Sequence, residues 1–288
     1  MTLHKENAMA IKPETTDIEL QMGLEHLTGT AAVKDRQFVT ALARGLEVLR
    51  CFKAEDPLLG NQEIAERTGL PKPTVSRLAY TLTSLGYLRY SRNLRKYQLG
   101  TAVLSFGYGL LTNMEILQIA RPLFQELADY AQAAIGLCAQ DRLSMIYLEN
   151  IYPNTNAVVL RHRVGDQIPL ATTSTGRAYL CAIDEADRNY LMEQVRLRDE
   201  VNWPEIKAGI EKALEDYQKH GYCLSLGEYS KGVNAIAVPI RTPASSSSIM
   251  AISVGAAAFQ LSRNIIETDI GPRLVHMGRQ IESQICRT

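Results

Sequence analysis

From Phe38 onward, apolar residues fall into periodic runs separated by polar, glycine or proline breaks, and the period changes along the chain. Phe38, Leu42, Leu46, Leu49 and Phe52 recur at helical spacing and predict one amphipathic helix. Asp56-Pro57 is expected to end it, because the residue before a proline is biased away from helical dihedrals. A second helix is predicted over 61–68, with Asn61 as its N-cap and Ile64-Ala65 on its buried side. Gly69 permits a tight turn through positive φ. Pro71-Lys72-Pro73 then opens a third helix, over 73–85, since proline suits the first helical turn. Its apolar face is Val75, Leu78, Leu82 and Leu85, and Gly86 closes it. Two short β-type runs, 87–90 and 97–99, flank a polar turn at 91–96.

Beyond Gly100 the pattern predicts a linker helix over 101–113 and a longer helix over 115–132, with Ile119, Leu123, Leu127 and Tyr130 facing inward. Strands are expected at 135–140, 144–151, 157–162, 234–241 and 249–256. Helices are expected at 176–183, 187–195 and 205–220, with a long terminal one over 265–286. The four serines at 245–248 mark a loop tip between two strands. Residues 1–37 carry no sustained period and read as an arm with a short helix near 17–27. The expected fold class is α+β: a winged helix-turn-helix over 38–100, a linker helix over 101–114, and a sheet-and-helix domain over 115–288.

The balance of 46% hydrophobic and 22% charged residues is that of a globular protein, and 288 residues suffice for two domains. No apolar run is long enough to span a bilayer and the first residues lack a signal-peptide core, so a cytoplasmic protein with no membrane partner is expected. The five cysteines are scattered, with no CxxC pair and no histidine at zinc spacing, which points to reduced thiols and no metal site. Searches for GxSxG, HExxH, a P-loop and a dinucleotide fingerprint find nothing, so neither an enzyme nor a bound cofactor is expected.

Net charge is zero overall, but residues 38–100 hold ten Lys/Arg against five Asp/Glu, a local excess of five positive charges. No acid occurs between Glu66 and Glu115, which suits a surface for a polyanion. In a helix-turn-helix the second helix of the pair enters the major groove. Here Lys72, Thr74, Ser76, Arg77, Tyr80 and Thr81 become the candidate readers of a double-stranded DNA operator. Arg92, Arg95 and Lys96 of the hairpin tip suit phosphate or minor-groove contact. A basic solvated face on a plain helical bundle would explain the charge, but not the Gly69 turn and the hairpin beside it.

This stretch resembles the IclR family of bacterial transcription regulators. The likeness rests on Ala41–Leu49, Glu63-Ile64-Ala65, Gly69–Lys72, Thr74–Leu78, Leu85-Gly86-Tyr87 and Tyr97–Gly100, with Pro73 standing where the family usually has a small polar residue. It continues through Pro169–Ala178, Gly221-Tyr222, Glu228, Gly232-Val233, Ala237–Ile240 and Ala251–Ser253. The resemblance implies a GAF-like sensing domain that binds a small organic acid. Carried over by position, its pocket would use Ala157, Leu160 and Ile168 as apolar walls, Ser174 and Thr175 at a helix start, and Ser225, Ala235, Ser253 and Gly255 opposite. Ala235 and Gly255 stand where the family can have a thiol and a hydroxyl, which would favour a more apolar effector such as an aromatic acid. Independently, the small polar run 172–176 before a helix offers free N–H groups to a carboxylate; an ordinary N-cap is the plainer reading of the same residues. A homo-oligomer is expected, a dimer or a larger assembly such as a tetramer, with the linker helix supplying an apolar surface and relaying the effector's signal. The competing reading is a DNA-binding regulator whose C-terminal domain only oligomerises and binds no ligand.

Overall fold

A computed structural model describes residues 38–155, 161–242 and 249–286. The expected arm at 1–37, the serine loop tip at 245–248 and the strand positions 157–160 lie outside the described residues. The first three helices are α1 (Thr40–Arg50), α2 (Asn61–Thr68) and α3 (Lys72–Ser84), followed by a hairpin of β1 (Leu88–Ser91) and β2 (Lys96–Leu99). They enclose a small core of Val48, Phe52, Leu59, Ile64, Val75, Ala79 and Leu88.

Several predicted details differ. Helix α1 ends at Arg50, and the chain turns back so that Leu59 and Tyr97 exchange two backbone hydrogen bonds, which adds a third short strand to the wing. Leu42 and Leu46 are more than half exposed, and the buried side of α1 is Gly45 and Val48. Gly60, not Asn61, is the N-cap of α2, and the Glu63 carboxylate accepts the Gly60 N–H at 2.5 Å. Helix α3 buries Val75 and Ala79, while Leu85 lies at its C-cap and is exposed. Gly69 takes φ +67°, as the tight turn requires.

Helix α4 (Ala102–Thr112) carries no buried residue, and α5 (Glu115–Ala131) leads into the second unit. There β3 (Ala134–Asp141), β4 (Ser144–Ile151), β5 (Gln167–Pro169), β6 (Cys223–Leu226), β7 (Val233–Arg241) and β8 (Ile249–Ala257) form one antiparallel sheet in the order β5-β4-β3-β8-β7-β6. Between β5 and β6 run α6 (Ser174–Ala182), α7 (Glu185–Arg198) and α8 (Trp203–His220). After β8 a π-helical turn, Ile266–Ile270, interrupts the predicted terminal helix before α9 (Gly271–Ile285). The three-residue β5 and four-residue β6 were not expected, and Arg161 and His162 are not in a strand.

Period-2 alternation divides the side chains between two layers. Ile135, Leu137, Ile236, Val238, Ile252 and Val254 point to the face covered by α5 and α9, with Phe124 fully buried between them. The inward stripe of α5 is Ile116, Leu117, Ala120, Phe124 and Leu127; Ile119 and Leu123 are half-buried, and Tyr130 is exposed beside the Arg273 guanidinium. The opposite face, under α6 and α8, is built differently. Cross-strand register gives one row of Ala134, Gly255, Ala235 and Ser225, and a second of Gly136, Ser253, Ala237 and Cys223. Six of these eight small residues, Ala134, Gly136, Ser225, Ala235, Ser253 and Gly255, line a hollow that becomes the candidate site, while Ala237 and Cys223 pack into the core on that face.

Candidate functional site

The outer side of α3 is the first candidate surface. Ser76, Arg77, Tyr80 and Thr81 are exposed, with Tyr80 at 74%, and Thr74 is half-buried. The Thr81 hydroxyl donates to the Arg77 carbonyl at 3.1 Å, a back-bond that leaves its lone pairs free to accept. Lys72 donates to the Gln62 side chain at 2.9 Å. In the hairpin turn Arg92 and Arg95 are exposed, with Arg95 at φ +53°. Lys96 is directed elsewhere. Its ammonium donates to Glu63 Oε1 at 2.7 Å and anchors the wing on α2. That hydrogen bond, and then the one from the Gly60 N–H, hold the Glu63 carboxyl below its usual range.

The second candidate is the hollow in the larger sheet. It forms a small cleft, part of it open to solvent. Seven of the nine effector positions expected from sequence line it: Ile168, Ser174, Thr175, Ser225, Ala235, Ser253 and Gly255. Ala157 and Leu160 fall outside the described residues. Helix α6 begins at Ser174, two residues earlier than predicted, and points its first turn at the cleft. Thr173 is its N-cap: the hydroxyl accepts the Gly176 N–H at 3.1 Å and donates to the Pro169 carbonyl at 2.8 Å. This leaves the Ser174 and Thr175 N–H groups without an intrahelical partner. The Ser174 hydroxyl is buried in the cleft lining and also has no partner. A buried hydroxyl left unpaired costs on the order of 1–3 kcal/mol, and a water or ligand oxygen in the cleft would complete this one.

The cleft also holds residues that the sequence did not single out. The Tyr147 ring lies over Gly136, where a Cβ would come within 2.5 Å of it, and stacks on His162 at 4.8 Å between centroids. Burial raises the Tyr147 phenol well above its ordinary value, against a hydrogen bond to Ser253, so it stays protonated. Burial also lowers His162, against a partial opposing pull from Asp166, which leaves the imidazole neutral near pH 7. Asn150 donates to the His162 carbonyl at 3.0 Å and fixes that segment. The lining among the described residues holds no lysine or arginine. An anion there would be met by N–H dipoles and hydroxyls alone.

With this geometry in place, the chain can be set beside known proteins. Residues 41–92 match the IclR helix-turn-helix domain, and residues 108–283 match the bacterial transcriptional regulator IclR C-terminal domain. The chain belongs to the IclR family of bacterial transcription regulators. It is 34% identical over 248 residues to the HTH-type transcriptional regulator TsaQ1/TsaQ2 of Comamonas testosteroni, covering 86% of this chain and 88% of that one. An IclR family transcriptional regulator from Brucella abortus matches in structure with a TM-score of 0.83 and 48% identity, over 88% of this chain and 95% of that one. An IclR homologue from Microbacterium hydrocarbonoxydans, in complex with 4-hydroxybenzoate, shares the fold at a TM-score of 0.62 and 22% identity, over 86% of this chain and all of that one.

Two glycines separate the frame of this IclR-family cleft from its floor. A Cβ on Gly176 would stand 1.9 Å from the Leu170 carbonyl oxygen, whereas one on Gly255 meets nothing closer than 3.9 Å. Gly176→Ala should therefore destabilise by about 1–3 kcal/mol, a melting shift of several degrees. Gly255→Ala should leave the melting temperature near that of the parent and only narrow the cleft. Thermal unfolding of the two variants checks this; equal melting temperatures would mean that α6 does not depend on that close approach.

Proposed function

We propose that this regulator binds its operator as a dimer or larger assembly, and that a small aromatic acid in the cleft sets how tightly it does so. The observation that carries the sensing half is the unpaired, buried Ser174 hydroxyl beside two uncapped N–H groups at the start of α6. A carboxylate placed there gains charge-assisted hydrogen bonds worth roughly 1.5–3 kcal/mol each. The rest of the cleft favours a planar body. Its floor is flat because Gly136, Ala235, Ser253 and Gly255 are small, and the stacked Tyr147 and His162 rings form one wall. The 4-hydroxybenzoate held by the Microbacterium protein is an acid of this shape.

On the DNA side, Arg77 is our choice for a base contact, with Lys72, Thr74, Ser76, Tyr80 and Thr81 around it. Arg92 and Arg95 would meet the backbone from the wing. Lys96 is left out of that set because Glu63 already occupies its charge. Oligomerisation is supported by two apolar helix surfaces that the chain leaves open: Leu42 and Leu46 on α1, and Leu104, Phe106, Tyr108 and Leu110 on α4, all more than half exposed. Exposed apolar area of this kind usually marks an interface.

Three outcomes are expected. Arg77→Ala should lose about 1–3 kcal/mol on a duplex selected by the protein from a random pool, and much less on unrelated DNA. Equal losses on both would remove Arg77 from base reading. The chain should sediment as a dimer or larger species at micromolar concentration, with Leu104→Lys/Leu110→Lys shifted towards monomer; a monomeric parent, alone and on DNA, would contradict the assembly. Finally, in a panel of benzoates and aliphatic acids, 4-hydroxybenzoate or a close analogue should raise the melting temperature of the parent and change its operator affinity. Ser174→Glu should lose both responses while its ligand-free DNA affinity stays near the parent's. A Ser174→Glu protein that still responds would place the site elsewhere, and a parent that answers no acid would favour a C-terminal domain that only assembles.

A further inference from the structure

The DNA-binding unit and the sensing unit meet in a patch of ion pairs at the turn between β3 and β4. Arg142 in that turn sits at φ +57°, and its carbonyl accepts from the Gln140 side chain at 2.7 Å, which fixes the turn's shape. From there both terminal guanidinium nitrogens of Arg142 reach Glu47 on α1, one of them at 3.0 Å from Oε2. Arg50, nearly one turn further along α1, answers in the other direction, donating to both carboxylate oxygens of Asp141 at 3.1 and 3.0 Å. Each side of the junction thus supplies one acid and one base. Side-chain exposures of 23% for Arg142, 22% for Glu47 and 21% for Asp141 place three of the four away from bulk screening.

The patch does not stop at the junction. Asp141 Oδ2 also accepts from the Gln167 side chain at 2.7 Å. Gln167 opens β5, and the next residue, Ile168, is a wall of the cleft and pairs with Met145 of β4. A continuous line of contacts therefore runs from the cleft wall through Gln167 and Asp141 to Arg50 on α1, and α1 packs against the DNA-facing helix α3.

We infer that Glu47, Arg50, Asp141 and Arg142 are the positioning residues through which the state of the cleft biases the DNA-binding unit. This rests on reading the cleft as the sensing site, but its test needs no effector. Coupling between two sites is reciprocal, so DNA bound at α3 must alter the cleft if the cleft alters DNA binding. Hydrogen exchange over residues 166–175 of the full-length protein is measured with and without a duplex that the protein has selected from a random pool. In the parent, the duplex is expected to change exchange there about fivefold or more. Arg142→Ala, and the milder Glu47→Gln, should reduce that change towards none while the duplex still binds. The exchanged pair Glu47→Arg/Arg142→Glu keeps an attraction across the junction and should restore it, which separates coupling from simple loss of folding. A parent in which the duplex leaves residues 166–175 unaltered overturns the inference, as does an Arg142→Ala protein that keeps the parent's response or a swap that fails to restore it. If the coupling behaves as stated but no acid binds, the relay stands and the effector reading falls.

Discussion

The cleft depends on one buried guanidinium. Arg177, 4% exposed, donates from Nε to the Ala171 carbonyl, from one terminal nitrogen to the Leu224 carbonyl and from the other to Glu228 Oε2, at 3.1, 3.3 and 2.6 Å. These bonds join the segment before α6, the edge strand β6 and the loop that follows it. Glu228 is 45% exposed, so its share of the attraction is screened and modest. The larger effect is that the bonds to Ala171 and Leu224 keep a desolvated cation satisfied; left with fewer partners at that depth, it would be strongly destabilising. Gly209 of α8 makes the space, since a Cβ there would come within 2.3 Å of the guanidinium. Ser174 and Thr175 line the cleft, and Arg177, one turn along the same helix, cannot move without breaking all three bonds, which holds the start of α6 in place.

The sheet face beneath is the second half of the same construction. A strand face filled with Val or Ile would pack flush against α6, as the opposite face does against α5 and α9. Rows of Ala, Gly and Ser forgo that burial, roughly 25 cal/mol for each Å² of apolar surface not covered, and leave volume instead. The cost is tolerable because the other layer holds Phe124, Ile135, Leu137, Ile236 and Ile252 with essentially no exposure. That layer carries the larger core, and the α6 side keeps a core of its own around the hollow, with Met145, Leu170, Leu180 and Ile210 buried.

Much of this was legible in the sequence, in graded fashion. Helices α2 and α8 and the long strands followed from the apolar period, which is a local signal. The start of α6 at Ser174 and Thr175, the proposed seat, stood out as a small polar run before a helix. Leu42 and Leu46 lie on the apolar stripe that the period shows, but a period does not show whether the chain itself covers them. Strands β5 and β6 are too short to alternate; pairing with long neighbours defines them. Tyr147, His162 and the bond between Arg177 and Glu228 left no local signal, since the partners lie 15 and 51 residues apart and meet only through the sheet order. The ion pair of Lys96 left no local signal for the same reason: Glu63 lies 33 residues away.

A seat of N–H dipoles and hydroxyls differs from one built on a lysine or arginine in what it leaves behind when empty. A buried cation without its anion costs several kcal/mol, so a cationic pocket is under pressure to collapse or find a substitute. Here the cation at the site, Arg177, is already satisfied by the fold and stands behind the helix rather than in the cleft. Without an anion, a seat of this kind leaves polar groups rather than an unpaired charge, and an unpaired polar group is the smaller penalty. A sensor must be folded and able to bind DNA both with and without its ligand, because a ligand acts only by preferring one of two existing states. In the proposed site, polar but uncharged groups at the start of a rigidly held helix would meet that requirement, and a buried charge would not.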